Sequence, residues 1–334
     1  MHIKLARFTA FYGRQHFWFC VFILIMKTTL KILGSLVSLV CLFLLYVQLT
    51  YKQTFEANPT GIKSSSDSSI IARGKYLVQG AAHCYTCHMP DSLRKSGDKE
   101  RMVGGNRLKT PFATFYTPNI TSDKVTGIGN FTDEQLASAI RYNVNHNSRA
   151  MVGFMTFNGM TDDDISAIIS YLRSTPPVHN VVPEHDYNMV GKVLVRFLVK
   201  PVSAKVENIQ PDTTAEYGKY LAYNVTNCNG CHTKRGSTGD FVGEPFAGGS
   251  SWKHNDATYA SANLTPDDST GRISKWSQNA FIQRFRAGRA LPNSPMPWDA
   301  YQILSDNDLK ASYKFLRQLP SVHNDVKTYS PTLK

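Results

Sequence analysis

Two cysteine pairs, each closed by a histidine, have the spacing best suited to chemistry in this chain: Cys84-Tyr85-Thr86-Cys87-His88 and Cys228-Asn229-Gly230-Cys231-His232. Thiols three positions apart lie one helical turn from each other, within reach of the two vinyl groups of a single porphyrin. The next residue then brings an imidazole under the ring as an iron ligand. Two covalently bound haem c groups are therefore expected, with Cys84, Cys87, Cys228 and Cys231 forming thioethers and His88 and His232 as proximal ligands. A thioredoxin-like redox pair needs neither histidine and sits in a βαβ context that is missing here. A zinc site drawn from both pairs would leave the adjacent histidines unexplained. The other two of the six cysteines, Cys20 and Cys41, lie in apolar runs near the N-terminus, so no cysteine remains for a disulfide framework.

The sixth ligand points to methionine. Met296 stands between Pro295 and Pro297 in the loop before the last helical pattern. A methionine held that rigidly is poor core filler and suits an axial thioether. In the first half, Met151, Met155 and Met160 all fall in the corresponding loop. Counting from Arg141 and Arg286 places Met151 level with Met296, whereas Met155-Thr156-Phe157 shares the methionine-x-aromatic pattern of Met296-Pro297-Trp298. Met155 is the preferred ligand, Met151 the alternative, and Met160 is assigned to the core. His83, His146, His179, His185, His254 and His323 are expected at surface or linker positions.

These motifs sit in an internal repeat with an offset of 144 residues. Gly74–Leu77 recurs at Gly218–Leu221, Gly104-Gly105 at Gly248-Gly249, and Asn119-Ile120-Thr121 at Asn263-Leu264-Thr265. Tyr171-Leu172-Arg173 recurs as Phe315-Leu316-Arg317, and Val178-His179-Asn180 as Val322-His323-Asn324. One offset held over such a length means two copies of one domain. Thr132, Thr161 and Ser305 read as helix caps. Helices are expected over about 162–173 and 306–317, with Ile165, Ile168, Ile169 and Leu172 facing a core. No strand pattern stands out, and the fold class expected is all-α.

Residues 32–51 carry no charge, enough for a helix of roughly 30 Å, the thickness of a bilayer's hydrocarbon core. Lys27 and Lys31 precede it, as on a cytoplasmic flank. A single membrane span is preferred over a cleaved signal peptide. The apolar run 17–26 is too short to span, and Met26 followed by Lys27 suits an initiator. Six of the 37 basic residues fall in residues 1–52, which contain no acidic residue, leaving 31 basic against 25 acidic downstream. Half of the net charge of +12 thus sits in the N-terminal segment, the remaining +6 would be brought close to neutral by four haem propionates, and no nucleic-acid partner is expected. The domain expectation is a targeting segment and anchor over 1–52, a flexible Ser-rich linker over 53–69, a haem domain over 70–180, a linker over 181–212, a second haem domain over 213–325, and a tail over 326–334. The apolar stretch 190–199 within the linker is expected to cross the domain junction as a helix.

Over residues 70–324 the chain resembles the multihaem c-type cytochromes, particularly the cytochrome subunits of membrane-bound alcohol and aldehyde dehydrogenases. The resemblance rests on Arg73–Leu77, the two haem motifs, Asn119–Thr121 and Asn263–Thr265, Tyr171–Ser174 with Pro176–Val178, and Ser294–Trp298. Phe154-Met155-Thr156-Phe157 is similar to the family's Phe-Met-Pro-Phe run, with Thr156 in place of proline. It implies tandem cytochrome c domains with His/Met-ligated haems, in which the helix carrying Gly74 crosses the helix carrying Tyr171. It further implies single-electron transfer between redox donor and acceptor proteins, with a dehydrogenase catalytic subunit as the candidate donor, at the periplasmic face of the inner membrane. The rival readings are a dihaem enzyme, such as a peroxidase or thiosulfate dehydrogenase, and a haem-based sensor, for which the chain has no output domain.

Overall fold

The computed structural model describes residues 3–203, 206, 208–236, 239–254 and 257–331. In chain order its helices are α1 (Ile3–Thr50), α2 (Ser68–Tyr76), α3 (Tyr85–His88), α4 (Asp91–Lys95), α5 (Asp133–Arg141), α6 (Asp162–Ser174), α7 (Met189–Phe197), α8 (Ala215–Tyr220), α9 (Cys228–His232), α10 (Gln278–Arg286), α11 (Trp298–Tyr301) and α12 (Asp306–Arg317). The strands are β1 (Arg107–Lys109), β2 (Ala113–Tyr116), β3 (Asp186–Tyr187), β4 (Ser251–His254), β5 (Ala257–Ala260) and β6 (Tyr329–Pro331). The chain divides into two compact units, one of residues 1–53 with 187–198, the other of 54–186 with 199–334.

In the first unit α1 is one continuous helix, so the two N-terminal apolar runs form a single rod. Its stretch Val21–Thr50 is long and apolar enough to cross a membrane. The linker helix expected at the domain junction is α7, and it belongs here instead, against the last turns of α1. Arg196 explains the difference: its guanidinium donates to the Tyr46 hydroxyl at 2.6 Å, the Thr50 hydroxyl at 3.1 Å and the Gln53 side-chain oxygen at 2.8 Å.

The second unit holds both copies of the repeat. In each, the helix before the haem motif crosses the last helix at a glycine. A Cβ on Gly74 would lie 1.9 Å from the Ala167 carbonyl oxygen, and one on Gly218 would lie 2.0 Å from that of Ala311. The expected crossing of the Gly74 and Tyr171 helices is present. The caps form as read: Thr132 and Gln135 make a reciprocal capping box, while the Thr161 and Ser305 hydroxyls accept from Asp164 N and Asp308 N. Ile165, Ile168, Ile169, Leu172 and Met160 are all buried.

An all-α class is too simple. β1 and β2 form an antiparallel hairpin, and β4, β5 and β6 a three-stranded antiparallel sheet. These strands are three or four residues long, β1 is exposed throughout, and the alternate burial of β2 and β5 covers only four residues each, too few to mark a strand in sequence. The tail residues 329–331 supply β6. The Ser-rich segment expected to be flexible is laid along the first domain. Thr60 and Gly61 donate to the Glu134 carboxylate, Ser64 donates to Asp133 through both its amide and its hydroxyl, and Ile62 is buried.

The two copies meet about a pseudo-twofold axis. Tyr76 donates its hydroxyl to Asp308 and accepts from Ser305 N at 2.9 Å. Its equivalent Tyr220 donates to Asp164 at 2.6 Å and accepts from Thr161 N at 3.1 Å. Contact i to j and j to i is the mark of an isologous interface. Arg73 and its equivalent Tyr217 touch each other at 3.3 Å, as residues on the axis must. Burial alone would favour a neutral Arg73, but Asp164 at 2.9 Å outweighs it and raises the pKa.

Since the methyl of alanine cannot fit at the helix crossing, Gly74→Ala should destabilise the first domain by roughly 1–3 kcal/mol or more. The check is chemical denaturation followed by circular dichroism, with Gly153→Ala, at an exposed glycine where a Cβ would meet only the Asn143 side chain at 3.7 Å, as the comparison.

Candidate haem-attachment sites

Each attachment motif is a single helical turn entered through a left-handed residue. His83 and Asn227, equivalent by the repeat, have φ of 42° and 51°, and the turn that follows stacks the two cysteines along α3 or α9. Asparagine tolerates this conformation well; histidine does so less often. The first cysteine of each pair is half-buried and the second exposed. Burial pushes the Cys84 thiol up to about 12 and the Cys228 thiol up to about 11.

The histidines are oriented by backbone. His88 Nδ1 lies 2.9 Å from the Pro118 carbonyl oxygen, and His232 Nδ1 lies 2.8 Å from that of Ala262. A carbonyl only accepts, so Nδ1 carries the proton and Nε2 keeps its lone pair for a metal. Burial lowers both histidine pKa values, which keeps the rings neutral as ligation requires. The repeated glycines hold the carbonyl in place. Gly104 N donates to His88 O at 2.8 Å and Gly248 N to His232 O at 2.7 Å. A Cβ on either glycine would strike the passing backbone, at 2.4 Å from Thr117 O and 2.5 Å from Ser261 O.

The other repeated residues brace the same segment. Asn119 donates to Val178 O at 2.9 Å and accepts from Thr121 N, and Asn263 does the same with Val322 O and Thr265 N. Asn180 and Asn324 reach back to Val103 O and Ala247 O, each at 2.8 Å. Pro118 and Ala262 are the residues that reading by side chain misses. Their contribution is a carbonyl, and only the neighbouring repeated Asn-x-Thr hinted at it.

The loops bearing the candidate sixth ligands run from Asn143 to Met160 and from Gly288 to Leu304. Met151, Met155 and Met296 are half-buried there, and Met296 abuts the hydrophobic core. Arg141 donates to the Asn158 and Met160 carbonyls, and Arg286 to those of Gln302 and Leu304. The arginines are thus 145 residues apart and their acceptors 144, so the first loop is one residue longer. His146, His179, His185, His254 and His323 are exposed. His83 is not a surface residue. Its ring packs edge-on against Phe157 at 6.5 Å and Tyr301 at 5.5 Å, and burial pushes its pKa down to about 4.

A continuous line of contact joins the two motifs. From Cys84 it passes to His83 through the chain, across to the Tyr301 ring, and by the Tyr301 hydroxyl to the Thr226 carbonyl. The Thr226 hydroxyl then lies 3.1 Å from Cys228 Sγ. Among the described residues, no three His, Cys, Asp or Glu side chains gather as a metal site made of protein alone.

Paired thiols on one turn, each followed by a neutral imidazole with Nε2 free for iron, suit covalent haem, and crossed terminal helices are the matching scaffold. The cytochrome c family profile matches residues 71–176 and 215–320, and the chain belongs to the cytochrome c family, whose domains bind haem c covalently and transfer electrons. Among its relatives is the cytochrome c subunit of a quinone-dependent alcohol dehydrogenase from Gluconobacter oxydans, 27% identical over 77% of this chain and 56% of the relative. The fructose dehydrogenase cytochrome subunit of Gluconobacter japonicus is 26% identical over 77% of this chain and 54% of its own length. A dihaem c-type cytochrome of Cereibacter sphaeroides is 27% identical over 72% of this chain and 83% of its own length. The chain thus spans little more than half the length of the dehydrogenase subunits it matches.

His83 titrates below its unfolded value of about 6.5, so the unfolded chain binds its proton first as pH falls. Its contribution to stability is full above pH about 6.5 and is lost progressively down to about pH 4. His83→Asn, which installs the residue found at 227, should remove roughly 2–3 kcal/mol from the stability change across that window. Denaturant midpoints of both proteins between pH 4 and pH 7 measure it.

Proposed function

We propose that this protein is a membrane-anchored dihaem electron carrier that passes single electrons from a dehydrogenase to a respiratory acceptor on the periplasmic side of the inner membrane. The observation that carries the reading is the tether-to-tether contact from Cys84 through His83, Tyr301 and Thr226 to Cys228, because it links two like sites within one compact unit. Bound haem c supplies a one-electron iron couple in each domain. Cys84 and Cys87 with His88, and Cys228 and Cys231 with His232, hold the two groups. Met155 and Met296 supply the sixth ligands, with Met151 the alternative to Met155.

The chain's work is to keep the ligand geometry the same in both oxidation states. Backbone carbonyls of Pro118 and Ala262 fix the imidazoles, and Pro295 and Pro297 stiffen the second methionine loop. With haem bound, a methionine thioether together with the imidazole would favour the reduced metal and raise the potential. The His83–Tyr301 contact shortens the through-space gap between domains to one ring-to-ring step. The span Val21–Thr50 anchors the carrier, and the relatives named as cytochrome subunits of alcohol and fructose dehydrogenases support a dehydrogenase as the donor.

Intact mass of the purified protein should exceed that of the polypeptide by two haem groups. Met155→Ala and Met296→Ala should each abolish one far-red thioether–iron(III) band and lower one midpoint potential, while Met151→Ala leaves both. A mass equal to the bare chain, from cells competent in haem attachment, would falsify the reading.

Tyr301→Leu should slow electron equilibration between the domains several-fold after flash reduction, with both midpoint potentials kept. An unchanged rate would show that the aromatic contact is not on the path.

A further inference from the structure

The helix α7 is turned inside out for a helix beside water. Its cations face the end of α1: Arg196 on Tyr46, Thr50 and Gln53, and Lys192 on Gln48 at 2.8 Å and over the Tyr51 ring at 5.3 Å. Its outward side is apolar. Val190, Leu194, Phe197 and Leu198 follow the spacing of a single helical face, and Val190 and Leu198 are 61% and 71% exposed. An aqueous helix would carry the opposite arrangement, with charges out and leucines in.

This apolar side runs without a break into the surface of the membrane span. Phe197 stacks on Phe43 of α1 with ring centroids 6.1 Å apart, and both rings are 44% exposed. Around the same turns of α1, Leu42, Leu45 and Leu49 are more than half exposed, so the apolar surface continues around the helix. The junction also collects Tyr46, Tyr51 and Tyr187, the residue type enriched where a bilayer meets water. The Asn188 cap, whose side chain accepts from Gly191 N, starts the helix as the chain arrives from the first haem domain. Arg196 and Lys192 point to the polar end of α1, where long cationic side chains reach the headgroup level.

The geometry points to a second membrane contact: α7, in the middle of the chain, is an interfacial helix whose Val190–Leu198 side is buried in the outer leaflet beside α1. It takes lipid acyl chains, and no polypeptide, as its covering. The inference rests on the reading of α1 as a membrane span. The linker between the two cytochrome c domains is then itself an anchor. The chain is held to the bilayer at two separate points, and the first haem domain is tied at both of its ends.

The test uses the full-length holoprotein in vesicles of phosphatidylethanolamine and phosphatidylglycerol, with p-benzoylphenylalanine at one position at a time. Val190 and Leu198 report on α7, Leu36 on the span, and Val125 on an exposed site of the haem domains. After irradiation, mass spectrometry identifies the adduct. Lipid adducts at 190 and 198, in yield close to that at 36 and several-fold above that at 125, support the inference. Lipid at 36 with none at 190 and 198 overturns it, as do polypeptide adducts there, whether from a second copy or from a dehydrogenase subunit. No lipid at 36 removes the span itself, and the inference falls with it.

Discussion

An imidazole offers two nitrogens, and in both domains a backbone carbonyl decides between them. The Pro118 and Ala262 carbonyls accept a hydrogen bond from Nδ1–H of His88 and His232, which leaves the Nε2 lone pair free and fixes the plane of the ring. Most of each domain's repeated sequence follows from keeping that carbonyl in position. Gly104 and Gly248 let the segment pass against the motif. Asn119 and Asn263 close it on itself and tie it to the residues after the last helix. Asn180 and Asn324 return from that end to the loop before the glycines. Two cysteines and a histidine cost little to encode locally; holding the ring requires a set of contacts spread along the domain.

The two domains are joined by polar groups that are mostly satisfied within the interface. Tyrosine hydroxyls reach the carboxylates that begin α6 and α12, so the same side chains serve a helix N-terminus and the junction at once. Burial and the neighbouring carboxylates raise the pKa of both Tyr76 and Tyr220, so each remains a donor through the physiological range. Removing one partner would strand a buried polar atom, which costs more than the bond returns. Such an interface keeps His83 and Tyr301 in register. Their contact is off the symmetry, since the second domain has Asn227 where the first has His83. The duplicated halves are therefore inequivalent at the point where they come nearest.

Sequence and structure part company at particular residues. The attachment motifs, the 144-residue repeat, the capped last helices and the N-terminal span all depend on neighbours a few positions apart or on self-similarity, and each was legible before any coordinates. The short strands escape because three or four residues are too few for alternation, present in β2 and β5, to mark a strand in sequence. The segment 53–69 reads as flexible from its serines, yet Ser64, Ser65 and Thr60 find Asp133, Ser170 and Glu134 some 70 to 105 residues away. His83 reads as a surface residue because nothing near it in the chain covers it; Phe157 of its own domain and Tyr301 of the second do.

By itself, the sequence determined that the chain carries two cytochrome c domains, each with a Cys-x-x-Cys-His motif, and a long apolar stretch, because repeat offset, thiol spacing and unbroken hydropathy are one-dimensional properties. Tertiary structure alone decided which carbonyl aims each histidine, which ring bridges the motifs, and where α7 lies. Each of those is a contact between residues distant in the chain, and the side chain's identity does not name its partner. Arg196 shows this most plainly: its charge suggested only an interrupted apolar stretch, while its three acceptors at the end of α1 set the position of the whole linker helix.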